Sequence, residues 1–242
     1  MNAYAITFAG SDDPFSLEER HYLDSGIHRD YVREARRLMG TAKEAGLKGR
    51  TIFNFNWLRS TIEYSDNPLV FAKRPYAWAF KPLSIYYTML QIDQGDVVLY
   101  TDSNHYYTKY PSHAIRLAEH IGIYIRDHTP TVYQNGCWTH RDTFKRMNCD
   151  EPMYWSAPMK HADQLGICKN EFTMGFVEEW KNYTCDYLTS VANTEKNFPC
   201  FQDHRDDQSI ISILTEKYGI PACPSTDAIH EGPLCGLDKE GE

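Results

Sequence analysis

Chemistry is most concentrated at Asp102-Ser103-Asn104, which close the run Gly95-Asp96-Val97-Val98-Leu99-Tyr100-Thr101 in this chain of 242 residues. A short apolar run bounded by turn residues suits a buried central strand of an α/β sheet. Ligands of open sheets collect outside the carboxyl ends of such strands, so Asp102 stands where a metal or a nucleotide would be held. A divalent cation bridging a diphosphate needs hard oxygen ligands and open positions for the phosphates. Asp102 and the Asn104 carbonyl are oxygens of that kind. The segment equally suits a plain turn capped by Asp102, and taken alone it leaves both readings open.

A second group, His204-Arg205-Asp206-Asp207-Gln208-Ser209, directly precedes a helical pattern over 209–218. Acids at a helix start either cap it or face the cleft of Asp102. In the second case Asp207 and Gln208 would hold sugar hydroxyls or serve as a base. In Trp78-Ala79-Phe80-Lys81-Pro82 a lysine flanked by aromatics sits at a helix start, placed to pair with a phosphate or to snorkel at the surface. His230-Glu231-Gly232-Pro233, with Lys239 beyond, is either part of a metal and diphosphate site or an unstructured terminus. Arg33, Arg36 and Arg37 lie on neighbouring helical turns and read first as a solvated face.

The elements that must position these residues follow from the hydrophobic pattern. Strands are expected at 3–8, 51–55, 97–101 and 121–125, and a loop over 9–14. Helices are expected over 28–47 (closing at Ala45-Gly46), 83–92 (entered through Lys81-Pro82), 114–120, 170–190 and 209–218 (closing at Gly219). The tail from Pro221 reads as irregular. Alternating strands and helices without a linker or repeat indicate one α/β domain.

Composition narrows the function classes. A net charge of −8 and a pI near 5.7 argue against nucleic acid as a partner. The 17 Tyr, 11 Phe and 5 Trp suit a site that packs sugar or base rings, and they suit a core equally well. No apolar run approaches the roughly 18 residues of a membrane span, and Met1–Phe8 reads as a strand rather than a signal peptide. Seven cysteines, none spaced C-x-x-C, are then expected as reduced thiols in a cytoplasmic protein. On that expectation the acceptor pattern Asn182-Tyr183-Thr184 carries no glycan.

The order of the motifs adds a resemblance. Trp78/Lys81-Pro82, Gly95-Asp96/Tyr100/Asp102, Trp138-Thr139-His140-Arg141-Asp142 and His204-Arg205/Asp207-Gln208-Ser209 follow one another in this sequence. In that order they resemble the W-x-x-K-P, G-D-x-[VIL]-x-Y-x-D, W-T-[KH]-R-D and H-R-x-D-Q-S motifs of small GT-A-type glycosyltransferases. The likeness takes in Ile6-Thr7-Phe8-Ala9 and Glu178-Glu179-Trp180, and so spans roughly 4–220. Small GT-A enzymes of large algal viruses are among those it resembles.

The resemblance implies a GT-A-like, Rossmann-type mixed sheet, mainly parallel and flanked by helices. It implies a nucleotide-sugar-binding half at 1–110, an acceptor and catalytic half at 111–220, and an irregular tail at 221–242. The implied activity is transfer of a hexosyl or pentosyl group from a UDP- or GDP-sugar to a hydroxyl of a glycan or glycoprotein, assisted by Mn²⁺ or Mg²⁺. Asp207 and Gln208 match the catalytic pair. Thr7, Ala9, Gly10, Arg36, Lys81, Asp102, Ser103 and Arg141 are the implied donor residues, with Asp12 or Asp13 near the base and ribose. Asp102, Asn104 and His230 are the implied metal ligands. Asn104 stands where a full D-x-D has its second acid, a departure that keeps a turnover-deficient sugar-binding module as the alternative.

Overall fold

A computed structural model of the chain describes residues 1–9, 31–72, 76–127 and 133–232. Gly10, Asp12, Asp13 and Lys239, with most of the loop at 9–14, lie outside them. Seven strands are described: β1 (Ala3–Phe8), β2 (Gly49–Phe53), β3 (Val97–Thr101), β4 (His105–Tyr107), β5 (Ile123–Tyr124), β6 (Gln164–Cys168) and β7 (Ile229–Glu231). The longer helices are α1 (Tyr31–Glu44), α2 (Phe80–Gln91), α3 (Ser112–Ile121), α4 (Arg141–Arg146), α5 (Glu171–Cys185) and α6 (Asp207–Lys217).

Five strands form one sheet in the order β2-β1-β3-β6-β5. β1 runs parallel to β2 and β3, and β6 runs antiparallel to both β3 and β5. The sheet is therefore mixed and mainly parallel, the class expected from the sequence. Side-chain alternation sends Ile6, Val98, Tyr100, Leu165 and Ile167 to one face, against Ile85 and Met89 of α2, Val177 and Trp180 of α5, and Ile210 and Leu214 of α6. Ala3, Ala5, Val97 and Leu99 point the other way, against Leu38 and Ala42 of α1 and Ala114 and Ala118 of α3. Covering both faces is why β3 reads as an unbroken apolar run.

Strand direction decides what gathers at one edge. Thr101 of β3 pairs with Gln164 at the start of β6, so Asp102 and Asp163 lie side by side, joined by the Asp102 N–H donating to the Asp163 carbonyl at 2.8 Å. β5 ends at the same edge, and there Arg126 accepts from the His161 N–H through its carbonyl at 2.8 Å. A ribbon of β4 and β7 follows directly after Asp102.

Several local expectations are corrected. The strand expected at 51–55 begins at Gly49 and ends at Phe53, because the Asn54 side chain caps a helical turn over Phe55–Arg59. The helix expected within 170–190 is α5, which ends at Cys185; Tyr187 lies in a separate helical turn over Tyr187–Ser190. Within the described part of the tail, residues 221–232, β7 forms because β4 offers it a free edge. Cys137 and Cys200 form a disulfide, with Cα atoms 4.8 Å apart. The Gln202 N–H donates to the Cys137 carbonyl, and that pairing draws the two segments together. The expectation of thiols throughout is overturned for this pair, whereas Cys149, Cys168, Cys185 and Cys223 are free and buried. Among the described residues no helix is long and apolar enough to cross a membrane.

Candidate active site

Lys81 organises the site. Tyr76, Ala77 and Trp78, with φ of 62°, 49° and 54°, make a left-handed turn just before α2. Non-glycine residues rarely adopt that conformation, and runs of it persist only where packing imposes them. Here Tyr76 packs against Phe55 and Phe71, and Trp78 against Phe80. The turn delivers Lys81, whose side chain is 7% exposed, to the end of β3. Its ammonium lies 3.1 Å from Oδ1 and 3.2 Å from Oδ2 of Asp102, and donates to the Ala162 carbonyl at 3.1 Å. It also sits over the rings of Trp78 and Tyr100, at 5.1 and 5.7 Å. Burial acts to discharge this lysine, but Asp102, Asp207 and Asp163 outweigh it and hold the ammonium above the ordinary lysine value.

Asp102 also accepts from the Tyr100 hydroxyl at 3.1 Å. Burial, followed by the Asp102 charge, keeps that phenol well above its usual range. Behind Asp102, His105 Nδ1 lies 3.2 Å from the Asp102 carbonyl, and its Nε2 lies 3.4 Å from Asp163. Asp163 also meets Arg126 at 3.1 Å and His161 at 3.5 Å. Burial of Asp163 opposes ionisation, but bonds from His105 and His161 and the Arg126 charge hold it well below the usual carboxylate range.

Asp207 arrives from the far end of the chain. The Trp138 carbonyl accepts from the Arg205 N–H at 3.1 Å and from the Ser209 hydroxyl at 2.8 Å. Trp180 Nε1 donates to the Asp207 carbonyl at 3.0 Å. Lys160 braces α6 along its length: its carbonyl takes the Gln208 amide at 2.8 Å, and its buried ammonium pairs with Asp127 and Glu216 at 2.7 Å each. Asp206, at φ 47°, turns the chain into the helix. Asp207 is 2% exposed, and its Oδ2 has no hydrogen-bond partner among the described residues. Burial, opposed by Lys81 and reinforced by Asp206 and Asp102, pushes its carboxyl up to about 8. Asp102 and Asp207 thus act on the same buried ammonium.

The remaining expected residues fall into distinct places. Thr7 and Ser103 are buried at the ends of β1 and β3, and the Ala9 N–H donates to the Phe53 carbonyl. Arg36 is exposed on α1, and no contact ties it to Asp102. Arg141 is committed to Asp150, at 3.1 Å through both Nε and Nη2, and lies over Phe198. Asp142 accepts from the N–H groups of Thr194 and Glu195 and so ties the Trp138–Asp142 segment to the loop at 194–195. His230 stacks on Tyr106 at 5.7 Å, and its Nε2 lies 2.9 Å from the Asp227 carbonyl.

Sequence reasoning gave no role to Tyr100, His105, Arg126 or Asp163. Tyr100 stands in a quoted motif, but the other three reach the site only through strand pairing and carry no local signal.

The donor chemistry suits a divalent cation. The buried cation Lys81 and the half-buried Arg126 are spent on Asp102 and Asp163, so neither leaves uncompensated charge for a diphosphate. The buried Asp207 oxygen lacks a partner. Among the described residues no three His, Cys, Asp or Glu side chains form a ready-made metal cluster.

No protein-family model matches the chain, and no curated protein matches it. Among solved structures, the chain is similar to the apo form of mouse xyloside xylosyltransferase 1, with a TM-score of 0.46 and 9% identity over 90% of this chain and 83% of that one.

Proposed function

We propose that the protein transfers a sugar from a nucleoside-diphosphate sugar to a hydroxyl acceptor. The observation that carries this reading is the meeting of Asp102, from the end of β3, and Asp207, from the start of α6, around buried Lys81. Residues more than a hundred positions apart converge at the carboxyl edge of the sheet, where such folds hold nucleotides.

In the reaction the bond from the anomeric carbon to the diphosphate breaks, a bond to the acceptor oxygen forms, and the acceptor proton must be taken up. A divalent cation held at Asp102 and Asn104 would supply positive charge to the departing diphosphate. Lys81 and Tyr100 fix the Asp102 carboxylate from behind. Asp207 is the group assigned to the reacting sugar. Its buried, unpartnered oxygen is an acceptor awaiting a hydroxyl, and its ionised form takes the acceptor proton. With that carboxyl at about 8, transfer by this route rises with pH up to about 8. Gln208, anchored by its amide on Lys160, retains its carbonyl oxygen for a sugar hydroxyl.

The test is incubation with a panel of UDP- and GDP-sugars and Mn²⁺, reading released nucleoside diphosphate. Slow release abolished by Asp102→Ala supports the proposal, and tight binding without release supports a binding module instead. Asp207→Asn should leave donor binding intact and lower transfer by on the order of 10²-fold. Unchanged turnover in that variant removes Asp207 from the mechanism.

A further inference from the structure

We infer that the Trp78 indole is a stacking surface for a sugar ring of the substrate, turned outward beside the Lys81–Asp102 site by the left-handed turn at 76–78. The inference rests on the glycosyl-transfer reading and adds a residue that touches a sugar rather than the diphosphate.

The surrounding residues are all buried. Tyr76, Ala77, Ala79 and Phe80 lie inside the fold, and both alanines are completely covered. Trp78 alone in this stretch faces out, 37% exposed, and it is the most exposed of the five tryptophans. An indole left in water keeps a large apolar surface uncovered, which is unfavourable until a partner covers it. The backbone that turns it out is unfavourable as well. Tyr76, Ala77 and Trp78 take φ of 62°, 49° and 54° in succession, a conformation that crowds each Cβ against the chain. Strain of this kind gathers at ligand clamps. Two costs thus fall on one residue, and both serve to hold its ring outside.

Distances tie the ring to the site. The indole lies 5.1 Å from the Lys81 ammonium, and that ammonium lies 3.1 Å from Asp102 Oδ1. Indole and carboxylate therefore bracket one buried cation. Phe80 supports the indole at 5.4 Å, tilted by 55°, and is itself stacked at 4.1 Å on Phe8 at the end of β1. Among the described residues no hydrogen bond engages the indole N–H. A sugar ring matches this surface, with a face of C–H groups for the indole and hydroxyls at its rim for the N–H. In a nucleoside-diphosphate sugar the rings next to the diphosphate are sugars, and the base lies one ring further out. A side chain this close to the Asp102 ammonium meets a sugar first.

The test measures binding of UDP-glucose, UDP-galactose and GDP-mannose, and of UDP and GDP alone, to the full chain by isothermal titration calorimetry with Mn²⁺ present. Methyl glycosides of the same three sugars, followed by saturation-transfer NMR, stand for the acceptor. Glycine takes a φ of 54° without strain, so Trp78→Gly keeps the turn and removes the ring. Trp78→Leu keeps apolar bulk against Phe80 without an aromatic face and should behave in the same way, so the result does not depend on one variant folding. Both should weaken at least one nucleotide sugar or one glycoside by about fivefold or more, and Trp78→Phe by less than about threefold. Affinity for UDP and GDP alone should change by less than about twofold. A loss confined to nucleotide sugars assigns the stacked ring to the donor, and a loss confined to glycosides assigns it to the acceptor. The inference is overturned if UDP or GDP alone weakens as much as its sugars do. It is overturned equally if folded Trp78→Gly and Trp78→Leu bind every sugar as wild type does, or if wild type binds none. Trp78-dependent binding of a glycoside in a protein that releases no nucleotide from any donor sinks the transfer reading and leaves this one standing. Nucleotide release with sugar binding indifferent to Trp78 does the reverse.

Discussion

Replacing Asp207 with asparagine should make the protein more stable at neutral pH while it disables the proposed chemistry. The carboxyl is buried, pushed up to about 8 in the folded chain, and near 3.9 once unfolded. A carboxyl whose folded value lies above its unfolded value favours the fold below about pH 4. That advantage is lost as pH rises through the window up to about 8, because the unfolded chain releases its proton first. At pH 7 the window covers about three units, each worth about 1.4 kcal/mol, so the penalty carried by wild type is at most about 4 kcal/mol. Asparagine has nearly the same shape and does not titrate. The variant should therefore melt up to about 15 °C higher at pH 7, using about 2–4 °C per kcal/mol for a chain of this size. The assay is thermal unfolding by circular dichroism from pH 4.5 to 8.5, where the gap between variant and wild type should widen with pH and level off above 8. A gap that is independent of pH, or a variant less stable at pH 7, would refute the account of Asp207 as a strained, ligand-seeking carboxyl. A stabilising substitution at a group needed for turnover is the usual mark of a site kept at a cost to the fold.

Other consequences concern the frame that holds the site. Lys160→Met leaves Asp127 and Glu216 facing each other without their buried cation, and should cost about 3–5 kcal/mol in urea unfolding. Reducing the Cys137–Cys200 disulfide, whose cysteines are 63 residues apart, should cost about 4 kcal/mol by loop entropy, read as a lower melting temperature with reductant than without. At Gly166 an added Cβ would lie 3.2 Å from Tyr124 Cβ and 3.3 Å from Leu99 Cδ2, so Gly166→Ala should destabilise by about 1–3 kcal/mol. Gly175 of α5 has nothing within 4 Å of such an atom, and there alanine should add up to about 1 kcal/mol in the same assay.

What the sequence disclosed follows from where its signals are local. β3 lies at 97–101 as expected, because Gly95-Asp96 and Asp102 bound an apolar run. The start of α6 near Asp207 and of α2 near Lys81 was legible from motif and proline placement. β6 was not foreseen. Its five residues, QLGIC, are buried throughout, so alternation never appears, and a central glycine weakens any strand preference. β4 and β7, three residues each, exist only as each other's partner. From sequence, Lys81 reads as a phosphate ligand or a surface lysine. Burial rules out the surface reading, and its contacts to Asp102 and Ala162 depend on a left-handed turn of Tyr, Ala and Trp that no propensity suggests. The Cys137–Cys200 link spans two segments whose spacing carries no pattern, so composition pointed the wrong way.

The central claim is that Asp102, Lys81 and Asp207 surround one diphosphate-sugar pocket. It is tested most directly by the electron density of a crystal soaked with UDP or GDP and Mn²⁺. The diphosphate and its cation should lie against Asp102, with the Asp207 carboxyl facing the space where the sugar would lie. Nucleotide bound at another edge of the sheet, with Asp102 still engaged only by Lys81 and Tyr100, would contradict it.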